Sequence, residues 1–194
     1  MKHAAALLAF LVLAMPATAL AGAQDYEKLS ASVRASMAKS LSEFAPINPD
    51  DLDMRAWVRA MTKRVRTRFE DEEGARQFLA MVHYESSRAG LDPTLVLAII
   101  DVESKFRRYA VSKAGALGYM QVMPFWVSLI GVPSDNLFQP RTNLRYGCVI
   151  FRHYLDTEKG NVERALARYN GSLGKPDYPM RVVKARKEKW TVGA

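Results

Sequence analysis

A chain of 194 residues, 49% hydrophobic and 25% charged, is long enough for one domain with a sizeable core and too apolar for wholesale disorder. Its formal net charge of +8 suits an anionic partner, and a single cysteine, Cys148, excludes an intramolecular disulfide. Cys148 falls on the apolar face of a predicted helix and reads as a small core residue.

The N-terminus has the layout of an export signal. Met1, Lys2 and His3 make a short positive start, and Ala4 to Met15 is an uninterrupted apolar run ended by Pro16. Small residues then recur at Ala17, Ala19, Ala21 and Ala23. Residues 1–23 are therefore expected to be a secretory signal peptide, cleaved after Ala21 or Ala23. A membrane anchor is the weaker reading, because the run falls short of the ~20 apolar residues a bilayer requires. No cysteine near the cleavage region offers a lipid attachment point. The expected location is periplasmic or secreted, with no stable membrane anchor. In that compartment the basic charge, +7 once Lys2 of the +8 is removed, points to an acidic cell-wall polymer or anionic lipid head groups, with no nucleic acid as partner.

From Gln24 to about Asp53 the sequence is polar, with Pro46 and Pro49 as punctuation. Leu29, Val33, Met37 and Leu41 fall at helical spacing and predict a short amphipathic helix. A second helix is expected from Asp51 to Phe69 on Leu52, Trp57, Met61 and Val65. A third runs from Asp71 to Arg88 on Phe78, Leu79, Val82 and Tyr84, and Gly90 stops it. Residues 24–71 are read as an N-terminal helical extension. Asp92 followed by Pro93 is a strong helix start: a capping carboxylate, then a proline where its missing N–H is harmless. Leu95 to Val102 is apolar on nearly every face, as in a helix buried at the centre of a domain. A glycine-punctuated stretch follows from Lys113 to Gly118. Leu144, Cys148, Phe151 and Leu155 mark one face of a further helix. Asn161 caps another, with Val162, Ala165, Leu166 and Tyr169 on its inner face, and a basic helical segment runs from Pro179 to Trp190. No alternating run is long enough for a sheet, and no internal repeat is present. The fold class is all-α.

The sharpest single residue is Glu103. It closes the most apolar helix, where burial disfavours a carboxylate and raises its pKa, as a general acid at neutral pH requires. Asp101, two residues earlier, points to nearly the opposite side and cannot share a bond with it. A glutamate at a helix end is by itself more often a solvated or capping group. The residues that follow are more specific. They are Glu103-Ser104-Lys105-Phe106, Ala110-Val111-Ser112, and then Gly115 through Gly118-Tyr119-Met120-Gln121-Val122-Met123-Pro124. Farther on come Ala165-Leu166-Ala167-Arg168-Tyr169-Asn170-Gly171, Tyr178 and Val182. In order and spacing these blocks resemble the lytic transglycosylase domain of the soluble type, over about Leu91 to Val183. Tyr119 stands where that family usually has Leu. Arg168 and Gly171 replace commoner alanines, and Gln139 precedes Pro140 where Asp is usual. Glu85-Ser86 is a second Glu-Ser pair without the downstream block, and Glu85 is read as a surface residue of its helix.

The resemblance implies a lysozyme-like α-helical domain, placed at residues 72–190, with a cleft for peptidoglycan glycan strands. It implies cleavage of the bond between N-acetylmuramic acid and N-acetylglucosamine without water, leaving 1,6-anhydro ends, with Glu103 as acid and then base and no second carboxylate. It needs no cofactor and no metal. Ser112 and Gln121 are expected to hydrogen-bond substrate or hold the acid. Met123 and Tyr169 are expected to pack against sugar faces, the Tyr169 hydroxyl reaching Glu103, and Asn170 and Tyr178 to line the cleft. Plain core packing is the competing account of Met123 and Tyr169. The alternatives are a goose-type lysozyme-like muramidase, which would deliver water, and a non-catalytic peptidoglycan-binding protein. Cell-envelope or secretion-apparatus proteins are the companions such a domain would have.

Overall fold

A computed structural model describes residues 24–43 and 45–191; the export signal expected at 1–23 lies outside the described residues. The architecture is all-helical, as the sequence predicts. In chain order the helices are α1 (Ala31–Ser42), α2 (Leu52–Val65), α3 (Glu72–Arg88), α4 (Pro93–Glu103), α5 (Phe125–Ile130), α6 (Pro140–Thr157), α7 (Val162–Tyr169) and α8 (Asp177–Ala185). A 3-10 turn at Arg66–Arg68 follows α2, and a π turn at Arg186–Trp190 follows α8. Among the described residues the only β pairing is a pair of isolated bridges, Val111 with Leu117 and Leu117 with Val122.

Local chemistry sets the helix boundaries. Side-chain oxygens of Ser30, Asp51, Asp71, Asp92 and Asn161 each accept a backbone N–H in the first turn of the helix that follows. Such caps typically contribute about 1 kcal/mol each. At the end of α3, Gly90 adopts φ +65°, and the Leu91 N–H reaches back 2.9 Å to the Ser86 carbonyl. That closure needs a left-handed residue, which glycine supplies without a Cβ penalty.

α4 is the centre. Thr94 through Asp101 are all buried, and α3, α8 and the π turn pack around it. α6 is the second hub, lying against α1, α3 and α7. The two leading helices belong to the same core. α1 buries Met37 and Leu41, and α2 lays Met61 and Val65, both fully buried, against α3. Truncating a buried Met such as Met61 to Ala is expected to cost about 2–5 kcal/mol.

Glu85 departs from expectation. It is 1% exposed, not a surface residue of α3. Arg145 donates to both of its carboxylate oxygens, at 2.9 and 3.2 Å, Arg141 donates at 2.9 Å, and Arg88 lies at 3.4 Å. The arginines at 141 and 145, one turn apart on α6, come from a helix more than fifty residues away. A carboxylate can be buried only with such pairing.

Candidate active site

Glu103 is the last residue of α4. The helix stops there because the next residues leave the right-handed region: Lys105 has φ 54° and Phe106 φ 63°. Left-handed backbone at non-glycine residues costs of order 1–3 kcal/mol each. Burial of the Phe106 ring offsets part of that. It is 4% exposed and packs on Trp190 at 5.3 Å and Phe78 at 6.0 Å, and a buried Phe side chain contributes about 1.5–3 kcal/mol. Glu103 is left partly exposed, while Asp101, two residues earlier on the helix, points to a different side. Asp101 is fully buried and ion-paired with Lys189 at 2.8 Å, Lys105 at 3.7 Å and Arg68 at 3.9 Å.

The Tyr178 hydroxyl, from the first turn of α8, donates to Oε1 of Glu103 at 2.6 Å. Desolvation raises the Glu103 pKa to about 7, against the downward pull of the Tyr178 hydrogen bond and of the Arg181 charge. The carbonyl end of α4 also disfavours a negative charge at this position. Near neutral pH Glu103 is thus divided between a proton-bearing acid and a carboxylate, and its tyrosine neighbour can donate to either. Burial, reinforced by the charge of Glu103, holds the Tyr178 hydroxyl well above its ordinary pKa, so it stays a donor.

The segment from Ala110 to Pro124 folds back on itself beside this acid. Leu117 and Val122 exchange backbone hydrogen bonds at 2.9 and 3.0 Å, and the Gly118 N–H donates to the Ala110 carbonyl at 2.9 Å. Gln121 holds φ 51° because its side-chain amide donates inward to the carbonyls of Gly118, 2.9 Å, and Ala110, 3.2 Å. Asn143 of α6, fully buried, pins the block. Its carboxamide accepts from Met120 N–H at 2.8 Å and donates to the carbonyls of Leu117, 2.8 Å, and Leu137, 2.9 Å. Gly118 is required by this close approach, since it has φ +74° and a Cβ there would meet Asn143 Nδ2 at 2.5 Å.

The structure sets Tyr178 on Glu103 and Tyr169 on the loop that carries Gln121, and so redistributes the contacts expected of these residues. Ser112 and Gln121 brace the loop and do not hold the acid: the Ser112 hydroxyl accepts the Ala116 N–H at 3.0 Å, and the Gln121 amide is occupied as above. The Tyr169 hydroxyl does not take Glu103 either. It donates to the Met120 carbonyl at 2.8 Å, and its ring is buried beside Phe151 and Tyr154. Tyr178 makes the contact expected of Tyr169, because α8 lies directly on α4. Met123 is partly buried at the edge of the core. Asn170 is buried as the C-cap of α7. Sequence reasoning missed Asn143, although a carboxamide in line with Gly147 and Ile150 on a core-facing helix stripe was a signal. It also missed Gln24, whose partners lie 97 and 99 residues away.

Comparison with known proteins decides the family. The model of the transglycosylase SLT domain family matches residues 80–191, more than half of the chain. The chain belongs to the SLT transglycosylase family. Among its relatives is a membrane-bound lytic murein transglycosylase C from Edwardsiella ictaluri (strain 93-146), 34% identical over 119 residues, or 53% of this chain and 33% of that protein. A transglycosylase of Enterobacteria phage PRD1 is 32% identical over 118 residues, 57% of this chain and 43% of that protein. The matched SLT region thus spans less than half the length of these relatives. An X-ray structure of an inactive mutant of the lytic transglycosylase Slt from Pseudomonas aeruginosa aligns with TM-score 0.46 and 22% identity, over 72% of this chain and 27% of that one.

Proposed function

We propose that this chain is a peptidoglycan lytic transglycosylase that cleaves the bond between N-acetylmuramic acid and N-acetylglucosamine and leaves 1,6-anhydro ends. The observation that carries the reading is Glu103, whose pKa burial raises to about 7 beside a buried tyrosine donor and next to the loop bearing the family blocks. Membership of the SLT family supports it, as do relatives named for action on murein.

In this reading Glu103 starts protonated and transfers its proton to the glycosidic oxygen as the C1–O bond breaks. The positive charge developing at C1 is met by the sugar's own acetamido group. Glu103, now a carboxylate, is held by the Tyr178 hydroxyl and takes the proton of the muramic C6 hydroxyl, which attacks C1. The acid is thereby regenerated. An internal hydroxyl has a high effective concentration, so no bound water and no second carboxylate are needed. Met123, Asn170 and the Tyr169 ring would border the sugars, with Ser112 and Gln121 holding the loop that carries them. In this reading the lytic domain spans residues 72–190, with the preceding 24–71 bracing it through α1 and α2.

No helix among the described residues is long and apolar enough to cross a membrane. A periplasmic or secreted location, reached through cleavage after Ala21 or Ala23, accords with the substrate. Cell-envelope or secretion-apparatus proteins are the proposed companions.

The test is digestion of purified sacculi with wild type and Glu103→Gln, followed by mass analysis of the muropeptides. Wild type should release products one water lighter than hydrolysis gives, and Glu103→Gln essentially none. Fully hydrated products from wild type would make the protein a muramidase, and no products at all would leave only a glycan binder.

A further inference from the structure

The segment preceding α1 lies against the loop that adjoins the candidate site. Gln24 is 4% exposed although residues 24–30 are mostly polar and have no regular structure. Its carboxamide accepts the Met123 N–H at 3.1 Å and donates to the Gln121 carbonyl at 3.3 Å. The Tyr169 hydroxyl lies close by, donating to the carbonyl of Met120, the neighbour of Gln121. Two residues of the loop beside the acid, Gln121 and Met123, thus converge on one side chain of the same molecule. Neither the Met123 N–H nor the Gln121 carbonyl has another backbone partner among the described residues, so both are available to read an amide. Two further contacts extend the path: Tyr26 meets the Phe125 ring edge-on at 5.6 Å, and Glu27 pairs with Arg168 at 3.3 Å. Arg168 is one of the positions where this chain departs from the family pattern.

We propose that segment 24–30 is an intramolecular strap occupying the glycan cleft, with the Gln24 carboxamide on backbone groups that an acetamido-bearing sugar must claim. An acetamido group offers the same chemistry, one carbonyl acceptor and one N–H donor, and competes for Met123 N–H and Gln121 O. The strap is built to be displaced. Tyr26 is 66% exposed, the Glu27–Arg168 pair is partly solvated, and a cavity of about 150 Å³ lies between the segment and Tyr154, Arg168 and Leu173. The chain becomes firmly anchored only farther on, where α1 buries Met37 and Leu41. Glycan entry therefore opens the strap first, and apparent affinity is reduced by the fraction of molecules in which it is seated.

This proposal rests on the transglycosylase reading for its choice of ligand, but its test does not depend on catalysis. Hydrogen exchange at the Met123 amide and binding of triacetylchitotriose are measured in the purified chain, in Gln24→Ala and in Glu27→Lys. The second variant sets a like charge against Arg168 and leaves Gln24 intact. Both variants should exchange the Met123 amide faster, and both should bind triacetylchitotriose roughly three- to tenfold more tightly. Equal Met123 exchange in wild type and Gln24→Ala would overturn the strap, as would weaker or unchanged binding of the trisaccharide by both variants. If exchange and affinity move as expected while none of the proteins releases anhydro ends, the strap stands and the transglycosylase reading falls. If anhydro ends are released while exchange and affinity stay unmoved, the strap falls and the transglycosylase reading stands.

Discussion

The ends of α3 and α4 carry the same dipeptide, Glu85-Ser86 and Glu103-Ser104, and the fold makes opposite use of them. In both pairs the serine hydroxyl turns back to a carbonyl four residues earlier in its helix, so the difference lies entirely in what faces the glutamate. Glu85 meets Arg88, Arg141 and Arg145 and is locked as a buried ion-pair network. Glu103 meets the neutral Tyr178 hydroxyl and, at longer range, the Arg181 charge, and its pKa rises to about 7. Three guanidinium groups make one carboxylate a structural anion. Their replacement by one phenol leaves the other able to give and take a proton.

Amide substitution at each glutamate separates the two roles. Glu103→Gln keeps size and hydrogen bonding but cannot donate a proton, so turnover should fall by at least ~10²–10⁴, the usual contribution of general acid catalysis. Its fold should be unharmed. Because the folded pKa of Glu103 is raised, the stability present below 4.5 in wild type is lost as pH rises through about 7. Glu103→Gln should accordingly gain in melting temperature over wild type at pH 8 and lose that advantage by pH 4. Glu85→Gln should do the reverse. Removing the anion leaves three arginines facing a neutral group, and breaking a buried pair typically costs about 3–5 kcal/mol. Denaturant unfolding would measure this, and the remaining folded molecules should keep normal turnover per molecule. A well-folded, inactive Glu85→Gln protein would break the comparison.

Tyr178→Phe should have a smaller effect and sharpen the account of Glu103. Its hydrogen bond lowers the Glu103 pKa, so its loss should move the alkaline fall in activity to higher pH while the rate at lower pH declines. An unmoved pH profile in Tyr178→Phe would make that tyrosine a packing residue only. Tyr169→Phe loses a bond to the Met120 carbonyl and not to the acid. It should leave the profile in place and cost about 0.5–1.5 kcal/mol of stability, the net value of one hydrogen bond.

The sequence disclosed features whose cause is local. Asp92 and Pro93 announce α4, Gly90 ends α3 and Asn161 begins α7, each through chemistry within four residues of itself. The apolar run from Leu95 to Ile100 places α4 at the centre because a helix apolar on all faces has nowhere else to go. Partners supplied by distant helices were not legible. Glu85 reads as a surface residue of α3 until α6 brings Arg141 and Arg145 against it. The exchange of roles between Tyr169 and Tyr178 has the same origin: both fall in or beside matched blocks, and only the packing of α8 on α4 decides which hydroxyl meets the acid. Periodicity reports the face of a residue, not what lies opposite it.

The most direct measurement is titration of the Glu103 carboxyl carbon by NMR, alongside the pH dependence of anhydro-muropeptide release. The midpoint should fall near 7, with release declining through the same pH range because only the protonated form can begin the reaction. A midpoint close to the ordinary 4.5, with release still high at pH 8, would contradict the assignment of Glu103 as the acid.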